Sequence, residues 1–184
     1  MSKPHVTHNS GKSEWYTPPH IIEKARATMG EIDLDPASAE VANTIVRAGR
    51  YITKEEDGIS IDTMWGTKNV PVSVWLNPPY SRNLINQFAD RLLAEISNSR
   101  VYQAVWLSNN ATETVWGQKL LRKAKVVCFP YRRVKFLDAD LNPTGSPLQG
   151  QMLIGLGNVD IKQFTMNFNA VGVCSVRPGV LRTI

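Results

Sequence analysis

The residues with the clearest chemical potential are Asn77-Pro78-Pro79-Tyr80, which directly follow the apolar run Val72 to Leu76. The two prolines fix their own backbones and bias the residues before them away from helix. They hold the Asn77 side chain and the Pro78 carbonyl in a rigid turn, and both groups are oxygen acceptors. Two acceptors set close together suit a donor that carries two hydrogens, such as an exocyclic amino group. Accepting both N–H bonds leaves that nitrogen more tetrahedral and its lone pair less delocalised. A weak nucleophile is then aimed at an electrophilic carbon. Tyr80 supplies a flat face on which a base can stack. The same four residues also fit a plain turn between a strand and a helix.

Two further segments combine proline with polar side chains. In Trp15-Tyr16-Thr17-Pro18-Pro19, Thr17 reads as a helix N-cap with prolines in the first turn. In Leu34-Asp35-Pro36-Ala37-Ser38, a short apolar strand runs into a turn, and Ser38 can cap a second helix. The densest basic stretch holds Arg122, Lys123, Lys125, Arg132, Arg133 and Lys135. It reads either as a phosphate-contacting surface or as a solvated helix end. Arg82, directly after the Asn77 turn, is a further phosphate candidate.

These residues need elements to position them. Ile21, Ile22, Ala25 and Met29 recur at helical spacing, closed by Gly30. Val41, Ala42, Ile45 and Val46 mark a second helix closed by Gly49. Ile85, Phe88, Ala89, Leu92, Leu93 and Ile96 form one apolar stripe, the clearest helix in the chain. Glu113 to Lys123 reads as a helix with basic residues at its end. Strands are expected at Ile32 to Leu34, Arg50 to Thr53, Val72 to Leu76, Val101 to Leu107, Val126 to Phe129 and Val171 to Val176. Val134 to Leu137 and Met152 to Leu156 read as an antiparallel pair joined by a loop rich in Asn, Pro, Gly and Ser. The alternation predicts an α/β fold with a mostly parallel central sheet, helices on both faces and an antiparallel C-terminal hairpin. Ligands of such sheets bind beyond the carboxyl ends of the strands, where Asn77 is expected.

Composition bounds the rest. The 184 residues suit one domain, with residues 1–13 as a flexible N-terminal arm and 14–184 as a single domain. A hydrophobic fraction of 42% with 20% charged residues excludes a disordered tail or a coiled coil. No apolar stretch is long enough to span a membrane, and no signal peptide is visible. Cys128 and Cys174, with His5, His8 and His20, offer no metal spacing, so no metal is expected. The expected compartment is the cytoplasm. A net charge of +5 permits a polyanionic partner without requiring one.

Asn77-Pro78-Pro79-Tyr80 resembles the signature of amino-methyltransferases. The order Thr17-Pro18-Pro19, Asp35-Pro36-Ala37, Asn77-Pro78-Pro79-Tyr80 is similar to that of small phage-type DNA N6-adenine methyltransferases of the Dam family. The resemblance covers about residues 14 to 157. It includes Tyr51-Ile52-Thr53, Glu56-Asp57-Gly58, Arg133-Val134-Lys135-Phe136 and Gly145-Ser146-Pro147. It implies a Rossmann-like methyltransferase fold, S-adenosylmethionine as methyl donor and a flipped-out adenine of double-stranded DNA as acceptor. It further implies that Trp15, Tyr16, Thr17, Pro18, Asp35, Pro36, Ala37 and Ser38 face the cofactor. Asp57, with Glu55 and Glu56 as rivals, is the candidate acid for its ribose. Phe136 becomes a second aromatic wall for the base, or else a core aromatic. Arg82, Arg132, Arg133 and Lys135 become DNA contacts.

The Gly-rich turn common after the first strand of methyltransferases is replaced here by Ser38-Ala39-Glu40. Two other readings stay open: a methyltransferase acting on RNA or a protein glutamine, since both can use the Asn77 to Tyr80 signature, and a non-catalytic DNA-binding module on a degenerate scaffold, which the altered turn supports. The absence of Gly-x-Gly-x-x-Gly ranks a dehydrogenase low. With no region large enough for a separate target-recognition domain, a monomer or weak dimer with short or weak sequence specificity is expected. Protection of phage DNA from restriction is the role that the resemblance suggests.

Overall fold

The structure, a computed structural model, describes residues 15–176, so the expected arm 1–13 lies outside the described residues. The elements in order are α1 (Pro19–Met29), β1 (Leu34–Asp35), α2 (Glu40–Val46), β2 (Arg50–Tyr51), β3 (Val72–Leu76), α3 (Arg82–Ser97), β4 (Val101–Asn109), α4 (Val115–Lys123), β5 (Val126–Pro130), β6 (Gln151–Gly157), α5 (Ile161–Phe168) and β7 (Gly172–Val176).

The strands form one seven-stranded sheet in the order β2-β1-β3-β4-β6-β5-β7. The β2-β1-β3-β4 side is parallel throughout. From β4 onward every pairing is antiparallel, β4 with β6, β6 with β5, and β5 with β7. The antiparallel part thus reaches further than the expected hairpin and has different members. Val134 to Leu137 forms no strand beside Met152 to Leu156. β5 takes that place, and Leu137 makes isolated bridges to Tyr16 and Pro143 instead.

Alternation along β3 and β4 divides the core into two layers. Val74, Leu76, Ala104 and Trp106 point to one face, where Phe88, Leu92, Trp116 and Leu120 of α3 and α4 cover them. Trp75, Val105 and Leu107 point to the other face, under Ile21, Ile22 and Ala25 of α1 and Phe164 and Phe168 of α5. Burying both faces explains why these strands read as continuous apolar runs.

Helix ends depart from expectation in small ways that matter for the site. Pro18, rather than Thr17, is the N-cap of α1, and Gly30 closes that helix at φ 86°. Ala39, rather than Ser38, caps α2, which ends on Arg47 in the left-handed region instead of at Gly49. Thr17 and Ser38 are thereby released from capping.

Candidate active site

The chain runs from β1 to β2 on one side and to β3 on the other, so the strand order reverses beside β1. Such a switch point opens a crevice beyond the carboxyl ends of the two strands. Asp35 is the last residue of β1, and Asn77 follows the last residue of β3. Leu34 pairs in register with Val74, which sets the two strand ends side by side.

Within the turn, Pro78 is buried and Pro79 exposed, while Asn77 and Tyr80 are half-buried. Oδ1 of Asn77 accepts a hydrogen bond from the Tyr80 hydroxyl at 2.8 Å. Nδ2 of Asn77 reaches the carbonyl of Trp15 at 3.4 Å. Both ends of the amide are therefore held, and one lone pair of Oδ1 is left for an incoming donor. Burial pushes the Tyr80 hydroxyl well above its ordinary pKa, which keeps it neutral and donating. The Tyr80 ring meets Phe136 edge to face, with centroids 6.4 Å apart and planes at 77°. Phe136 is only 3% exposed. It buttresses Tyr80 from below and, as placed, presents no open face as a second wall.

The Trp15 to Pro18 segment lies across this turn. Tyr16 and Leu137 exchange backbone hydrogen bonds of 3.0 and 2.8 Å. The pair ties the segment to the chain that carries Phe136. Trp15 is exposed, while Tyr16, Thr17 and Pro18 are buried. Thr17 Oγ1 is buried without a hydrogen-bond partner. A buried, unsatisfied hydroxyl beside an acceptor loop is costly unless a ligand completes it.

Asp35 is buried at the other side of the crevice. Burial raises its pKa from 3.8 to about 7. The backbone N–H of Ala37, at 3.2 Å from Oδ1, pulls the other way. The Ser38 hydroxyl also favours the charged form but completes no hydrogen bond. Pro36 is buried, and Ala37 and Ser38 are half-buried behind it. The turn holding Asp57 packs directly on this loop: a Cβ on Gly58 would sit 2.0 Å from the Pro36 carbonyl oxygen. Asp57 is exposed, with φ 53°, and its Oδ1 accepts from the Ile59 N–H at 3.0 Å. Glu56 is turned back to accept from the Thr53 N–H at 2.9 Å. Glu55 is exposed, and its carboxyl is held below its usual range by its own backbone N–H and by Thr53.

The basic stretch does not stay together. Arg132, Arg133 and Lys135 are exposed just beyond β5. β5 runs in the same direction as β3, so they share the edge of the sheet with Asn77. Arg133 Nη1 donates to the Pro147 carbonyl at 2.9 Å, which ties the long β5–β6 connection to this edge. Arg122, Lys123 and Lys125 end α4 and precede β5, at the opposite edge. Arg82 begins α3; its side chain lies outside the described part of the chain.

Three positioning contacts escaped the sequence reading: the Tyr80–Asn77 hydrogen bond, the Trp15 carbonyl at Asn77, and the Leu137–Tyr16 bridge. Each joins side chains or backbones whose sequence patterns reveal nothing of a partner. A fourth is Arg91, which donates to the carbonyls of Ser60 and Thr63 and lies over Trp65, so it pins the loop after Asp57 to α3. Among the described residues no three His, Cys, Asp or Glu side chains gather as a metal site would require. No described helix is long and apolar enough to cross a membrane.

No curated protein and no solved structure matches this chain. A family model does: that of DNA N-6-adenine-methyltransferase (Dam), over residues 5–167. This span takes in Trp15 to Pro18, Asp35 to Ser38, Asn77 to Tyr80 and Arg132 to Phe136 together. With an ordered acceptor turn at a sheet switch point and a match across most of its length, the chain belongs to the Dam family of DNA N-6-adenine-methyltransferases.

Proposed function

We propose that the protein moves the methyl group of S-adenosylmethionine to N6 of an adenine flipped out of duplex DNA, on a Rossmann-like methyltransferase fold. The observation that carries this reading is the Asn77 amide. It is fixed by Tyr80 and Trp15 at the carboxyl end of β3, and Oδ1 keeps one lone pair for a further donor.

The residues around the crevice fit the cofactor. S-adenosylmethionine supplies an electrophilic methyl on a positively charged sulfonium. The buried Asp35 carboxyl suits a cationic ligand, and the unpartnered Thr17 hydroxyl suits a polar one. Trp15 to Pro18 would hold one end and Asp35 to Ser38 the other. Oδ2 of Asp57, on the turn packed against Pro36, would meet the ribose hydroxyls.

Asn77 Oδ1 and the Pro78 carbonyl accept the two amino hydrogens of adenine and aim its lone pair. Tyr80 offers its ring to the base, and Phe136 sets the tilt of that ring from beneath. Flipping costs a few kcal/mol, which stacking and pocket hydrogen bonds offset. No strong base is needed; positioning and electrostatics lower the barrier. Arg132, Arg133 and Lys135 on the same edge contact phosphates, with Arg82 at the head of α3. The connection from residue 138 to 150, with residues 1–13, reads a short or weakly specified site.

A substrate exchange tests the acceptor class. Offered duplex DNA, RNA and protein with methyl-labelled cofactor, the enzyme labels DNA. Label in RNA or in glutamine instead sinks the proposal.

A further inference from the structure

At the opposite edge of the sheet, the starts of β4 and β5 and the end of the reversed β6 surround an open cleft of about 780 Å³. The length of β3 separates this edge from Asn77, roughly 17 Å at about 3.3 Å per residue. Lys68, Arg122, Lys123 and Lys125 line the cleft, and none of its lining residues is acidic. Tyr102, 49% exposed, and Ser99 complete the part that matters here.

A bland account covers only some of this charge. Arg122 and Lys123 close α4, where the helix dipole favours cations. Lys125 directly follows the Ala124 C-cap of the same helix, whereas Lys68 comes from the turn before β3 and belongs to no helix end. Two chain segments, residue 68 and residues 122–125, thus bring cations to one concave surface without a carboxylate among them.

We propose that this cleft holds the phosphate backbone of a second nucleic-acid segment, distinct from the one that presents the target base. Lys68, Arg122 and Lys123 are exposed and Lys125 is half-buried, and cations set along an open groove match the repeated charges of a polyphosphate chain. A small free anion would call for an enclosed site with buried donors. The Tyr102 ring gives a sugar or an unstacked base a surface to lie on. With Arg132, Arg133 and Lys135 on one edge and this cleft on the other, a single protomer joins two DNA segments. The inference rests on DNA being the substrate but needs no methyl transfer.

The test mixes the full chain with two short duplexes, one carrying a fluorescent donor and one an acceptor, and reads bridging by energy transfer. The wild-type protein bridges them at low salt. The variant Lys68→Glu/Lys123→Glu/Lys125→Glu loses at least about tenfold of the bridged complex. The same variant methylates a short single duplex within about twofold of wild type, which shows an intact fold. If the triple variant unfolds, the exposed single changes Lys68→Ala and Lys123→Ala are read in its place. Bridging that survives these changes, as a dimer bound through its Asn77 edges would give, overturns the proposal. A wild-type protein that does not bridge also overturns it. Bridging that the variants abolish, with no methylation by either protein, supports the cleft and refutes the catalytic reading alone.

Discussion

The Tyr80 hydroxyl donates to Oδ1 of Asn77 at 2.8 Å, so the ring that offers a stacking face also sets the angle of the acceptor amide. One turn therefore couples the two tasks of base holding and nitrogen aiming. The coupling can be separated by substitution. Tyr80→Phe keeps the ring and removes one hydrogen bond, worth about 1 kcal/mol. The expected result is a fall in kcat of about fivefold, with the KM for DNA nearly unchanged. Tyr80→Ala also removes a stacking surface worth about 1–3 kcal/mol and raises the KM for DNA. Steady-state kinetics on both variants distinguishes the roles. Identical behaviour of the two would deny the ring its part, and wild-type behaviour of Tyr80→Phe would deny the hydroxyl its part.

Asn77 is the residue on which nucleophile alignment depends. Asn77→Ala should lower methyl transfer by at least about a hundredfold, the scale seen when one preorganised polar group is removed from a reacting centre. Cofactor affinity should change little, because Trp15 to Pro18 and Asp35 to Ser38 hold that ligand. Calorimetric titration beside a transfer assay checks this. A variant that loses cofactor binding in parallel would move Asn77 from the base side to the cofactor side.

Asp35 makes two opposite pH predictions. Its folded-state pKa is raised to about 7 from 3.8, chiefly by burial. The folded protein therefore holds a proton that the unfolded chain has lost between about pH 4 and 7. Stability without ligand declines as pH rises through that window and levels off above it. A cationic cofactor prefers the ionised carboxylate, so its affinity rises over the upper part of the window, by up to about tenfold per pH unit below the pKa. Asp35→Asn should flatten both profiles. It should raise ligand-free stability above pH 7 by about 1–3 kcal/mol while weakening cofactor binding. Denaturant titrations and calorimetry at pH 5 and 8 read both quantities. Unchanged pH profiles in the variant would remove Asp35 from this role.

The loop that carries Asp57 is held from two sides. Glu95 is fully buried and pairs with Arg91 at 3.0 Å and Arg100 at 2.6 Å. Arg91 in turn pins Ser60 and Thr63. Glu95→Ala leaves buried guanidinium charge without its partner and should cost about 3–5 kcal/mol of stability. Gly58→Ala acts more locally, because its Cβ would collide with the Pro36 carbonyl. It should loosen cofactor binding with a smaller loss of stability. Thermal unfolding with and without cofactor separates the two, and equal losses in both assays for both variants would contradict the division.

Much of the site's framework was legible because its signals are local. A rigid Pro-Pro turn after an apolar run, and a six-residue stripe on α3, need no partner to be read. The failures lie where pairing is distant. The apolar spacing of Val134 and Phe136 correctly marks a buried face, but alternation does not say which chain lies alongside. Leu137 bridges Tyr16, more than a hundred positions earlier, and β5 takes the place beside β6. The basic stretch looked continuous because α4 and β5 are adjacent in sequence. The length of β5 carries its two halves to opposite edges of the sheet. Thr17 resembled a cap, whereas Pro18 takes that place and leaves the Thr17 hydroxyl buried and unpartnered. Helix α5 carries local signals of its own, namely the Asp160 side chain accepting from the Gln163 N–H and the buried pair Phe164 and Phe168.

The most direct test of the account follows the methyl group to its atom. Purified protein is incubated with duplex DNA and methyl-labelled S-adenosylmethionine, and the DNA is digested to nucleosides that are then separated. The account predicts label in N6-methyldeoxyadenosine, and its loss when Asn77→Ala is used. Label in another nucleoside, or none in DNA while the cofactor demonstrably binds, would contradict it.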